Sequence, residues 1–191
     1  ASEGSMLQVA LAPCSPFSVT PELMRNSATL GAQHNVMLHT HLAETIDEEN
    51  FCLQRFGLRT VDYLDSVGWL GPQTWLAHGI HFNQDEIQRL GAAGTVICHC
   101  PTSNMMLASG MAPVQELEAA GCPVGLGVDG SASNDGSNMV QEVRQALYLQ
   151  RLKYGAQVSH FDAYRWATQG SANMLGRSDI GSLEVGKQAD I

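Results

Sequence analysis

Three short apolar runs each end on side chains that can bind a metal ion or move a proton. The first, Val36-Met37-Leu38-His39-Thr40-His41, continues into Leu42-Ala43-Glu44. The second, Thr74-Trp75-Leu76-Ala77-His78, continues into Gly79-Ile80-His81. The third, Pro123-Val124-Gly125-Leu126-Gly127-Val128, continues into Asp129-Gly130. Neutral imidazole and carboxylate are ligands for a divalent ion, and a catalytic ion keeps one position open for water or substrate. A carboxylate beside such an ion takes up and returns protons while water is added. The pattern is therefore the equipment of a metal-assisted hydrolase. Downstream strand ends are where a (β/α) barrel presents such groups.

Position separates the candidates. His39 and His41 share one strand face, because side chains alternate. His39 is expected to pack and hydrogen-bond in the interior, and His41 to bind metal with Glu44 on the loop beyond. His78 closes its run directly and is expected at the site, whereas His81 is expected to pack or cap. Asp129, between glycines that allow close approach, can bind an ion and accept a proton. Gly125, Gly127 and Gly130 also match a dinucleotide fingerprint, but a loop follows where a helix must start, and Asp129 would repel a pyrophosphate. Cys98-His99-Cys100 has no second thiolate pair, so the thiols read as structural, with His99 at a strand tip as a pocket-lining residue. The zinc signature H-x-E with P-C-x-x-C is absent, and no G-x-S-x-G elbow exists.

Alternating elements must hold these groups. Strands are expected at Met6–Ala12, Val36–His41, Thr74–His78, Thr95–His99 and Pro123–Val128. Helices are expected from Pro21, over Asp47–Ser66 with a break at Gly57, and over Gln84–Ala93, Val114–Ala120, Ser137–Lys153 and Phe161–Leu175. Strand-helix repetition implies an α/β fold with a parallel sheet. Five strands are too few for a closed barrel of eight. The chain is expected to be the C-terminal part of a (β/α)8 TIM-type barrel; the alternative is a self-sufficient open sheet of doubly wound type.

Composition narrows the class. With 44% hydrophobic residues, 191 residues can bury one core. Net charge is −9 without a basic cluster, which argues against a nucleic-acid polymer as partner. Apolar runs are too short to span a membrane. Five cysteines without framework spacing, and no basic leader at the start, give a cytoplasmic expectation.

In order, these motifs resemble the amidohydrolase superfamily, in its branch of aromatic-heterocycle deaminases and triazine hydrolases. His41-Leu42-Ala43-Glu44 resembles the family's fifth-strand motif, and Ala77-His78-Gly79 its sixth. Pro101-Thr102-Ser103-Asn104 resembles the segment after the seventh strand, and Gly127-Val128-Asp129-Gly130 the eighth. Residues 167–190 resemble the closing helix and the return into a small β domain, so residues 1–178 are expected to be barrel and 179–191 the start of that domain.

The resemblance implies hydrolytic deamination of an aminated heterocycle, a purine such as 8-oxoguanine or guanine, with release of ammonia. Alternatives are a triazine-type hydrolase losing chloride or alkylamine, and an inactive fragment acting only by interaction. His41 and Asp129 are implied as metal ligands, and His78, Glu44 and Asp129 as catalytic groups. Glu44, Cys14, His99 and Asn104 are implied to meet the substrate. One divalent ion is implied, zinc first, iron or manganese otherwise. The family's first-strand histidine pair is missing here, so the missing N-terminal half of the barrel is the expected partner, and the isolated chain is expected to hold metal weakly. A homo-oligomer is left open.

Overall fold

The computed structural model describes residues 5–188. Five parallel strands form one sheet: β1 (Ala10–Leu11), β2 (Met37–Leu42), β3 (Thr74–His78), β4 (Val96–His99) and β5 (Val124–Leu126). Each strand pairs with the next in the chain, so the order is β1-β2-β3-β4-β5. A doubly wound sheet would reverse direction at a switch point. This sheet does not, and its order is that of a barrel wall. The register aligns Leu42 with His78 and His99 with Leu126, which brings the strand ends to one rim.

Helices return the chain between strands. The first, α1 (Pro21–His34), starts where Thr20 accepts the Leu23 amide at 3.1 Å and proline occupies the first turn. After β2, α2 (Ile46–Phe56) ends at Gly57, whose φ of 71° supplies the left-handed stop, and α3 (Thr60–Ser66) follows. Between β3 and β4, α4 (Gln84–Ala93) opens with a reciprocal capping box between Asn83 and Glu86. Next come α5 (Pro101–Met106) and α6 (Val114–Ala119), and after β5, α7 (Met139–Tyr154) and α8 (His160–Arg165). A π-helical stretch, Trp166–Gly170, leads into α9 (Ser171–Met174).

Strand alternation divides the core. Leu38 and Leu42 of β2, Leu76 of β3, Ile97 of β4 and Leu126 of β5 are buried under the helices. Each such side chain contributes about 1.5–3 kcal/mol by leaving water. On the inner face, Trp75, Ala77, Val96, Cys98, Cys100 and Met174 make a smaller cluster. His39 and His41 share that inner face and are half-buried. No described helix is long and apolar enough to cross a membrane.

The structure departs from the sequence expectations in four places. The run Met6–Ala12 pairs only at Ala10–Leu11, because Ala10 already meets the first residue of β2, and Met6 and Leu7 stay exposed. The third motif's strand stops at Leu126, with one further bond from the Gly127 amide to the His99 carbonyl. Helix α5 is not among the expected helices. It forms because Glu142 of α7 accepts the Thr102 amide at 3.2 Å, satisfying a helix-start donor. The expected helix 161–175 carries the π stretch. There Gly170 lies so close to β5 that an added Cβ would stand 2.0 Å from the Val124 carbonyl. Residues 179–188 form turns tied by the Gln188 amide to the Asp179 carbonyl. The rest of the expected small domain, 189–191, lies outside the described residues.

Candidate metal centre and active site

Backbone strain marks the rim. Ala43, His78 and Asp129 have φ of 53°, 73° and 62°, a left-handed conformation that costs non-glycine residues about 1–3 kcal/mol. For His78 the consequence is direct. Alternation would send it to the helix side with Leu76, whereas the turned backbone brings its ring beside His41, with centroids 5.4 Å apart.

Hydrogen bonds set both imidazole tautomers. His41 donates through Nδ1 to the Cys14 carbonyl at 2.7 Å, and His78 donates through Nδ1 to Asn104 Oδ1 at 2.8 Å. Both Nε2 atoms are left facing Asp129. His41 Nε2 lies 3.6 Å from Asp129 Oδ1, and His78 Nε2 lies 3.8 Å from Oδ2. Ser103 donates to Asp129 Oδ2 at 2.5 Å and is backed by Ser133 at 2.7 Å. Glu44 completes the group, with Oε2 3.6 Å from His78 Nε2 and Oε1 accepting from Ser109 at 3.3 Å.

These atoms fit a divalent ion. Donors of His41, His78 and Asp129 all lie within 4.8 Å of one another. Two donors about 2.1 Å from a tetrahedral ion stand about 3.4 Å apart, close to the separations seen. Two neutral imidazoles and a carboxylate are also a donor set that zinc takes. The sequence pointed to His41 and Asp129 as ligands; His78 is a third donor within reach. Its direction depends on the turned backbone and on Asn104, which spacing alone does not reveal.

Other residues of the sequence reading stand elsewhere. His99 is fully buried on the helix-facing side of β4, 3.4 Å from Gln150 of α7, and burial lowers its pKa to about 3. It does not reach the inner face, because Cys98 and Cys100 take the inward positions. Asn104 is also fully buried and spends its oxygen on His78. Cys14 is exposed at the rim and orients His41 through its carbonyl. His39 stacks on Trp75 and donates to its carbonyl at 3.3 Å, and burial lowers it to about 4. His81 donates to the Ser109 carbonyl at 2.9 Å. Gly127 makes room for the Cys98 thiol, which an added Cβ would meet at 2.6 Å, rather than for a ligand.

Charge on the pair is mutually reinforced. Asp129 raises His41 to about 9, and His41 holds Asp129 well below the usual carboxylate range. The raised imidazole stabilises the fold fully below about pH 6.5, and that contribution is lost as pH rises through about 9. The lowered carboxylate contributes above about pH 3.9 and loses its effect as pH falls further. In ion-free protein, NMR titration of His41 is expected to show a midpoint near 9. Asp129→Asn is expected to bring it to about 6.5 or below. A midpoint near 6.5 in the unmutated protein would show that the two groups do not pair.

The amidohydrolase family model matches residues 1–191, so the chain belongs to that family. Its sheet and helices are accordingly part of a (β/α)8 barrel. It is 74% identical over 190 residues to 8-oxoguanine deaminase of Pseudomonas aeruginosa, covering 99% of this chain and 42% of that protein. An adenosine deaminase from Xanthomonas campestris, solved with bound zinc, superposes with a TM-score of 0.91 at 34% identity, over 95% of this chain and 42% of its own. An atrazine chlorohydrolase from Arthrobacter aurescens, complexed with zinc, gives 0.93 at 34% identity, over 98% and 42%. The chain thus spans less than half the length of the relatives it matches.

Proposed function

We propose that the protein carrying this chain is a metal-dependent hydrolytic deaminase of an aminated purine of the 8-oxoguanine or guanine type. The observation that carries the reading is the convergence of His41, His78 and Asp129, with Glu44 beside them. The 74% identity to 8-oxoguanine deaminase favours the purine. An ion held by His41 and Asp129, with His78 as a further donor, would lower the pKa of its water from 15.7 towards about 7. Zinc is favoured by its presence in two neighbouring structures.

Asp129 accepts the proton of the attacking water, its carboxylate aimed by Ser103. Glu44 gives a proton to the ring nitrogen beside the attacked carbon. Water oxygen has then bonded to the carbon bearing the amine. The C–N bond breaks as the amine takes the proton held by Asp129 and leaves as ammonia, and the added hydroxyl returns its proton to Glu44 on becoming the carbonyl. His78, with its Nδ1–H held by Asn104, presents an Nε2 lone pair that, where it does not bind the ion, accepts from the O–H of the adding water and so polarises it. Exposed Cys14 and half-buried Glu44 are the residues left to meet the ring. The cysteines are all free thiols, in keeping with a cytoplasmic setting.

The test is ammonia release by the full-length protein from a panel of aminopurines, aminopyrimidines and triazines. Ammonia from an aminopurine is the expected result. Chloride or alkylamine from triazines, with no ammonia from any purine, would transfer the site to triazine hydrolysis, the chemistry named for the Arthrobacter neighbour.

A further inference from the structure

One acidic side chain near the site has no part in the chemistry above. Glu48, in the first turn of α2, is 2% exposed, and its Oε2 accepts the Glu44 amide at 3.0 Å. The other oxygen, Oε1, is buried without a hydrogen-bond partner. The Glu44 amide belongs to the same peptide unit as the Ala43 carbonyl. That carbonyl accepts the amides of Ile80 at 2.9 Å and His81 at 3.0 Å, from the loop after β3. The unit is therefore gripped at both ends. Its hold also fixes the left-handed turn at Ala43, which a free alanine would leave.

We propose that Glu48 is a positioning residue for Glu44, its buried carboxyl locking the peptide that carries the proton-transfer group. This rests on the reading of Glu44 as proton donor. A buried acid with one empty oxygen is costly unless the other does something specific. Fixing a reacting group to within a fraction of an ångström is such a return. Burial raises the Glu48 carboxyl to about 7, so an uncharged amide is a mild replacement there. A glutamine keeps the acceptor oxygen for the Glu44 amide. A methionine fills the space without an acceptor, and an aspartate keeps the charge but withdraws it by one methylene.

The experiment compares these three variants in the full-length protein by kcat, KM, metal content and amide hydrogen exchange over residues 42–45. Glu48→Met is expected to lower kcat about 10–100-fold, with KM and metal content unchanged and faster exchange at those amides. Glu48→Gln is expected to restore both rate and protection, and to exceed Glu48→Asp. Should Glu48→Met fail to fold, the order of the glutamine and aspartate variants decides. Aspartate above glutamine, or Glu48→Met with unchanged exchange and rate, would overturn the proposal. Absence of ammonia release by the unmutated protein would instead remove the deaminase reading, and the exchange measurement would still decide whether Glu48 holds the peptide.

Discussion

Glu44→Gln, made in the full-length protein, is expected to lower kcat by about 10²–10⁴, equivalent to about 3–5 kcal/mol of lost transition-state stabilisation. The substitution is nearly isosteric, and it keeps an oxygen for the Ser109 hydroxyl that now reaches Oε1. It also leaves the grip of Glu48 on the residue's own amide untouched. Metal content is expected to stay at the unmutated level, because Glu44 is not among the three converging donors. The combination of retained ion and lost rate separates a proton-transfer role from a ligand role. Rates of ammonia release beside metal analysis supply the check. A variant with unmutated kcat would take Glu44 out of the reaction.

Asp129→Asn is expected to have the larger effect, because one carboxylate is asked to do two things. Asparagine tolerates the left-handed backbone at this position and retains an oxygen for Ser103, so the rim keeps its shape. On the proposed mechanism, the lost charge removes an anionic ligand and the group that receives the water's proton. Loss of a directing group around a metal already costs 10–100-fold in general, and loss of a general base about 10²–10⁴. Activity is therefore expected to fall by about 10³-fold or more, with metal stripped by a mild chelator. If the variant kept its ion and lost less than about tenfold in rate, the double role would be wrong.

Much of the frame was legible because strands and caps are local. Thr20-Pro21 announces a helix start, and Gly57 a stop. The apolar runs gave all five strands and their order in the chain. His41 and Asp129 could be named because each closes such a run. What escaped is decided by side-chain direction across the sheet. His99 stands at a strand tip as expected, yet the pairing of Ala77 with Cys98 sends Cys98 inward and His99 under α7. Nothing in the spacing announces the turned backbone at His78. Ser103 and Glu142 sit far along the chain from the groups they hold. Glu48 did leave a trace: Thr45-Ile46-Asp47-Glu48 has the spacing of a capping box. Such a box predicts a bond to the Thr45 amide, and the carboxyl instead reaches one residue further, to Glu44.

The metal centre is the claim on which the rest depends, and a crystal structure of the full-length protein with anomalous data at the zinc edge tests it most directly. The predicted result is a single peak about 2.0–2.2 Å from both His41 Nε2 and an Asp129 oxygen, with His78 Nε2 in reach of the ion or its water. An ion bound elsewhere, or one touching only one of these two residues, would contradict the account.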